Sequence, residues 1–379
     1  MIRRTVLKLI NNYLHKNRAI IIYGARRTGK TTILNALAEK IDNYLYVNCD
    51  LIDGQNLFDF KNQDQIKLSF SRYDYLLIDE AQRVEDIGIK LKSIIDTLPN
   101  LQLIITGSSA LDLSNKTNEP LTGRKFEFQI PPLSSEEIYD HDGILPVKGG
   151  LEQRLIFGNY PEVYLEKSLT IDYIKEIAGS YLFKDLLVFQ DIKRPDMIKK
   201  ILVALALQIG SEVSLNELAG TLGMDRKTVD KYICLIEQSF IIYRLNSFSR
   251  NIRNELKKST KIYFWDNGIR NALLNNFNPL AVRNDIGALW ENYFITERRK
   301  YLLNHRVLFD QYFWRNTKQQ EIDLVENINS QMRAYEIKWS PQRKVKFPSS
   351  FCIGYPDIET KVVNKENYLE FLLTEYEDN

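Results

Sequence analysis

Three groups of residues in this chain have the types and spacing to do chemistry. The first is the loop Gly24, Ala25, Arg26, Arg27, Thr28, Gly29, Lys30, Thr31 and Thr32, which reads G-x-x-x-x-G-K-T directly after the apolar run AIIIYG. Glycines at that spacing let backbone N–H groups curl around phosphate oxygens, and a helix starting at Lys30 points its positive end at them. Lys30 would reach the β- and γ-phosphates of a nucleoside triphosphate, and the Thr31 hydroxyl would bind Mg²⁺. The spacing assigns Arg26 and Arg27 neither to phosphate nor to a partner. The second group, Asp79 and Glu80, ends the apolar run YDYLLIDE. One carboxylate there can hold Mg²⁺ while the next orients or deprotonates an attacking water. The third is Asp323 in EIDLV with Glu336 and Lys338 in YEIK. Side chains two apart in a strand share a face, so Glu336 and Lys338 point together and Asp323 stands opposite Ile322 and Leu324. Paired strands would bring two carboxylates and an ammonium onto one face. That set can hold a divalent metal and polarise a water, or it can be the solvated or internally paired face of a hairpin.

These groups need elements to position them. Five apolar runs fill the first third of the chain, at 19–24, 44–50, 73–80, 101–109 and 125–133, with helically spaced segments such as TTILNALAEKI between several of them. Near-continuous apolar strands alternating with helices predict a parallel sheet covered on both faces, an α/β domain. From about 134 to 240 the pattern is helical, strand character returns at FIIYRLNSF and KIYFWD, and an amphipathic segment at 285–303 precedes the hairpin. Within the helical part, SLNELAGTLGMDRKTVDKYICLIEQSFIIYRL has a Ser214-x-x-Glu217 capping box, a turn at Gly223 and a second cap at Asp225. It resembles a winged helix-turn-helix, in which Arg226, Lys227 and Lys231 would project from the second helix as a groove-reading helix requires, or, with Asp230 and Glu237 on the same helix, the pair is only a packing module. The following stretch, 250–261, has five basic residues and one acidic, a local charge of +4.

Composition restricts the alternatives. The 379 residues fit two or three domains, and a net charge of +2 excludes a whole-molecule field drawing the protein to nucleic acid or an anionic membrane. Three cysteines far apart, Cys49, Cys234 and Cys352, argue against a disulfide framework or thiolate metal site. The start of the chain has no apolar run of signal-peptide or membrane-spanning length, so a cytoplasmic protein without membrane partners is expected.

The loop and the Asp-Glu strand end resemble the Walker A and Walker B elements of AAA+ and related P-loop ATPases. The resemblance implies ATP and Mg²⁺ as ligands, Lys30, Asp79 and Glu80 as catalytic groups, and a sheet in which the strand LIITGSS lies between the other two. It casts Ser108 or Ser109 as the γ-phosphate sensor, with a plain turn as the alternative. Arg124 could stabilise charge on the phosphates, in cis or from a neighbouring subunit, or be a surface arginine. The arrangement of Asp323, Glu336 and Lys338 resembles the PD-(D/E)xK nuclease fold, and that resemblance carries Glu291 of the preceding helix over as a third metal-facing carboxylate. Gln320 and Glu321 stand where that fold often has Pro-Asp.

The whole series GARRTGKTT, LLIDEAQ, ITGSSA, LTGRKFEF, PPLSSEEI, GNYPEVYLE, KIYFWDNGIRNAL, WENYF, EIDLV and YEIKW is similar in order to a family of bacterial and archaeal ATPases. Its members join an AAA-type domain to a C-terminal domain of unknown function. The implied division is a P-loop core at 1–133, a helical lid at 134–195, a winged helix at 196–250 and a restriction-endonuclease-like α/β domain at 251–379. Three functions follow: an ATPase acting on or near DNA, an ATP-gated metal-dependent nuclease, or a nucleotide-dependent sensor without turnover. A homo-oligomer or a protein partner is compatible with each.

Overall fold

The computed structural model describes residues 2–107, 121–181, 194–249 and 259–373. Two compact units result. Met1–Pro132 makes up most of the first, and Leu133–Ser180 with Ile241–Asn379 most of the second.

The first unit is built on five parallel strands: β1 (Ala19–Tyr23), β2 (Tyr44–Asn48), β3 (Tyr75–Asp79), β4 (Gln102–Gly107) and β5 (Lys125–Gln129). Their order is β2-β3-β4-β1-β5. The period-2 alternation of the strands sorts their apolar side chains into two cores. Ile20, Ile22, Leu77 and Ile104 join the helices Val6–Tyr13 and Lys30–Ala38 on one face, whereas Ile21, Leu76, Ile78, Leu103 and Ile105 meet Ile87, Leu91 and Ile94 of the helix Ile87–Thr97 on the other. A sheet of parallel strands has to be covered on both faces, and the near-continuous hydrophobicity of the five runs is the consequence. As expected, β4 lies between β1 and β3. The carboxyl ends of these three strands therefore sit side by side at one sheet edge, where open α/β sheets take their ligands.

The second unit packs helices against a seven-stranded sheet. Its strands are β6 (Glu212–Val213), β7 (Ile242–Ser247), β8 (Thr260–Phe264), β9 (Phe309–Arg315), β10 (Glu321–Ile328), β11 (Gln331–Ile337) and β12 (Glu359–Val363), in the order β12-β11-β10-β9-β7-β8-β6. A division at 250/251 cuts through the β7–β8 ladder, and β7 also pairs with β9. Backbone hydrogen bonding thus joins what the sequence suggested as separate winged-helix and C-terminal domains. The expected lid segment packs here too: Arg154 and Asn159 bond to Tyr293 and Glu297 of the long helix Ile286–Asn304.

That helix reads as amphipathic in sequence but is buried on most sides. Its charged residues are inside because each has a partner there. Glu297 takes the Lys300 ammonium at 2.7 Å, and Arg298 meets Glu326 at 3.0 Å. The hairpin β10–β11 turns at Asn329 and Ser330, with φ of 49° and 67°, the pair of left-handed residues that a two-residue hairpin loop requires. In the helix pair Leu215–Leu222 and Arg226–Gln238, Gly223 makes the turn at φ 61°. Ser214 accepts from the Glu217 N–H and Asp225 from the Thr228 N–H, which fixes where each helix starts.

Candidate functional site

The glycine loop leaves β1 at Gly24 and enters the helix Lys30–Ala38 at Gly29, which has φ 93°. Gly24 is required by contact: a Cβ there would lie 2.2 Å from the Ile130 carbonyl oxygen. Gly29 is required by conformation, since an L side chain rarely adopts that φ. Lys30 is buried and its ammonium donates to the carbonyls of Gly24 and Ala25 at 3.0 and 2.9 Å. Thr28 closes the loop by bonding to the Ala25 carbonyl at 2.8 Å.

Opposite the loop, Asp79 ends β3 and collects hydroxyl donors. Thr31 reaches its Oδ2 at 2.9 Å, Tyr46 reaches the same oxygen at 3.0 Å, and Thr106 donates to Oδ1. Burial and then the Asp79 carboxylate hold the Tyr46 hydroxyl well above its ordinary range, so it stays a donor. Burial also pushes the Cys49 thiol up to about 12, with Asp79 adding to it. Glu80 sits just past the strand in the left-handed region, with φ 54°. Its N–H donates to Thr106 Oγ1 at 3.1 Å, and its carboxylate accepts from the Gln82 amide. A non-glycine residue held in that region is strained, and such strain collects at functional sites.

The structure brings Gly24, Gly29, Lys30, Thr31, Asp79 and Glu80 to the carboxyl ends of β1 and β3. Ser108 and Ser109, like residues 250–258 of the basic stretch, lie outside the described residues. Arg124 is not brought to the loop within this chain. Its carbonyl accepts from Ala19 N–H at the opening of β1, and its guanidinium pairs with Asp96 at 3.2 Å. The length of β1 separates it from Gly24, about 16 Å for five extended residues.

Three further residues belong to the site. Thr106 donates to the Asp79 carboxylate and accepts from the Glu80 N–H, and the signal for it was a polar residue closing the apolar run LIIT. Tyr46 points toward Asp79 because its neighbours Leu45 and Val47 take the other face. Arg4 is buried and ties the loop down, donating to the Thr28 carbonyl at 2.5 Å and to the Pro131 carbonyl at 2.7 Å. Nothing in the spacing of the terminal MIRR distinguished it from a solvated basic end.

The second cluster forms on β8, β10, β11 and the long helix. Asp323 Oδ2 accepts from the Ile337 N–H at 2.7 Å and from the Lys338 ammonium at 2.9 Å, and Lys338 also meets Glu336 at 2.7 Å. Glu291 is instead engaged by Lys261 at 3.1 Å and by the Tyr263 hydroxyl at 2.6 Å. Burial, reinforced by Asp323, pushes the Glu336 carboxyl up to about 7 against the pull of Lys338. Burial also raises Glu291, opposed by Lys261. Among the described residues no group of three or more His, Cys, Asp or Glu side chains is placed to hold a metal ion.

With both clusters located, comparison with known proteins decides how far the resemblance reaches. Residues 16–139 match the family model of the AAA domain. Residues 148–280 and 286–373 match models of two domains of unknown function, DUF8612 and DUF4143. An uncharacterized protein of Haemophilus influenzae is 28% identical over 272 residues, covering 66% of this chain and 68% of its own length. One of Mycobacterium tuberculosis is 26% identical over 344 residues, 89% of this chain and 74% of the relative. Among solved structures, the Walker-type ATPase of Pyrococcus abyssi is similar at 16% identity and a TM-score of 0.49, over 71% of this chain and 94% of that one. The AAA match spans β1 to β5 and contains the glycine loop, Tyr46, Asp79, Glu80 and Thr106, with Arg4 just before it. No helix among the described residues is long and apolar enough to cross a membrane.

Proposed function

We propose that this chain hydrolyses ATP with Mg²⁺ and that its C-terminal unit contacts DNA. The observation that carries the first part is the meeting of Thr31 and Asp79 at 2.9 Å beside a loop that opens its backbone at Gly24 and Gly29. A hydroxyl and a carboxylate on adjoining tips form the hard oxygen donor set that magnesium takes. Thr31 and Asp79 would hold that ion, which when bound neutralises charge on the phosphates. Lys30, now on the loop carbonyls, has the reach to exchange them for phosphate oxygens. Glu80, aimed by its strained backbone and by Gln82, takes the proton of the attacking water. Thr106 ties the Asp79 carboxylate to the Glu80 main chain.

Steady-state ATP turnover tests this reading. Lys30→Ala should lower kcat/KM by at least about a hundredfold, near 3 kcal/mol of transition-state stabilisation. Glu80→Gln should keep nucleotide binding while losing turnover. Wild-type turnover that survives Lys30→Ala unchanged would remove the proposal.

DNA contact is supported by the exposure of Arg226, Lys227 and Lys231 on the second helix of the pair, whose start is fixed by Asp225. An exposed basic helix following a tight turn is the form that enters a major groove. Charge reversal at Arg226 and Lys227 should weaken binding to duplex DNA and flatten its salt dependence by about one unit for each phosphate no longer neutralised.

A further inference from the structure

The PD-(D/E)xK resemblance implies a divalent metal at Glu291, Asp323 and Glu336, and the donor set here does not fit one. All three carboxylates are already paired with a lysine, and each cation of the cluster bridges two acidic side chains. Lys338 spans Asp323 and Glu336. Lys261 spans Glu291 at 3.1 Å and Glu321 at 2.5 Å. Arg315 spans Glu321 at 3.7 Å and Glu212 at 3.1 Å.

Lys261 is the unusual member. It is only 1% exposed, and its ammonium lies over the Phe313 ring at 5.4 Å. A buried ammonium is costly unless paired, and this one is held by two carboxylates, one of them also bonded by Tyr263. β8 and β10 are three ladder steps apart in the sheet, so the Lys261–Glu321 pair ties together strands that share no backbone hydrogen bonds.

We propose that the Lys261 ammonium is the resident cation of this cluster: it holds Glu291 against Glu321 of β10, so that Glu291 is not offered to a divalent ion beside Asp323, and the C-terminal unit binds no divalent metal there. The chain of pairs Glu291–Lys261–Glu321–Arg315–Glu212 then joins the long helix to β8, β10, β9 and β6. The cluster is a structural tie carrying the residue types of a metal site. This inference stands apart from ATP hydrolysis.

The test is Mn²⁺ binding by nucleotide-free full-length protein carrying Asp79→Asn, which takes away the carboxylate that would hold an ion at the glycine-loop site and so separates the two outcomes. Titration calorimetry and electron paramagnetic resonance should find no stoichiometric site in that parent tighter than roughly 1 mM, the weak end of protein cation sites. Adding Lys261→Met should create one site at least about tenfold tighter, and Asp323→Asn should abolish it. A stoichiometric Mn²⁺ site in the parent that Asp323→Asn removes would overturn the proposal. So would a Lys261→Met protein with parental circular dichroism and no gained site. Lys261→Met strips a buried carboxylate of its cation, so Lys261→Gln serves as a second variant, and the parent titration decides alone if neither folds.

Discussion

At the scale of residues, the glycine-loop site is held by groups of two kinds. Lys30, Thr31, Asp79 and Glu80 stand out by type and spacing because the proposed phosphate chemistry leaves few alternatives to them. Thr106, Tyr46 and Arg4 act through the first set. Thr106→Val removes the hydroxyl that joins Asp79 to the Glu80 N–H, while leaving the volume nearly unchanged. The expected result is a fall in kcat of about 10- to 100-fold with ATP affinity altered only slightly, read from steady-state kinetics beside a nucleotide titration. Arg4→Ala leaves two buried carbonyls without the guanidinium that bridged them, and each such orphan costs about 1–3 kcal/mol. Nucleotide affinity should therefore fall by roughly tenfold or more, measured with a fluorescent ATP analogue. An unchanged affinity would show that the loop holds its shape without Arg4.

At the scale of elements, the long helix is the instructive case. Its sequence pattern suggested one apolar stripe, but Glu297, Arg298 and Lys300 are buried because neighbouring segments supply partners. Pattern alone cannot show this, since it counts a charged side chain as solvent-facing wherever its partner lies far along the chain. The start of the same helix carries a pH dependence. Burial alone would raise the Asp285 carboxyl, but hydrogen bonds from Arg283 and Arg270 outweigh it and bring the group down to about 2. A carboxyl depressed in the folded state stabilises above its unfolded value of about 4, and that contribution is lost as pH falls toward 2. Asp285→Asn should therefore be less stable than the parent at pH 7 by about 1 kcal/mol, allowing for partial exposure. The gap should close between about pH 4 and pH 2, as followed by chemical denaturation. A gap that stays constant over that range would exclude the ion pairs as its source.

At the scale of the whole molecule, the chain divides into a unit containing the glycine-loop site and a second containing the acid-lysine cluster. If Lys338, Asp323 and Glu336 form a structural tie, Asp323→Asn should destabilise the second unit while ATP turnover per folded molecule stays within about twofold of the parent. Turnover that disappears together with Asp323 would instead make the cluster part of the hydrolytic machinery. The domain division expected from sequence placed β7 and β8 on opposite sides of a boundary. It overlooked their pairing because strand partners are chosen by sheet register, and the two strands are separated by a stretch whose charge resembles a linker.

The sequence by itself determined the parallel sheet and the position of the phosphate loop within it. Local rules suffice for both: alternating apolar strands need cover on two faces, and a glycine pair before Lys-Thr has one dominant chemical use. Only the tertiary structure decided which polar groups meet. Arg4 crosses from the terminus to the loop, Arg124 stays at the far edge of the sheet, and Lys261 reaches Glu291 from a strand outside the hairpin. Those outcomes follow from three-dimensional closure, because whether a charge is paired depends on what packs against it and not on its spacing in the chain.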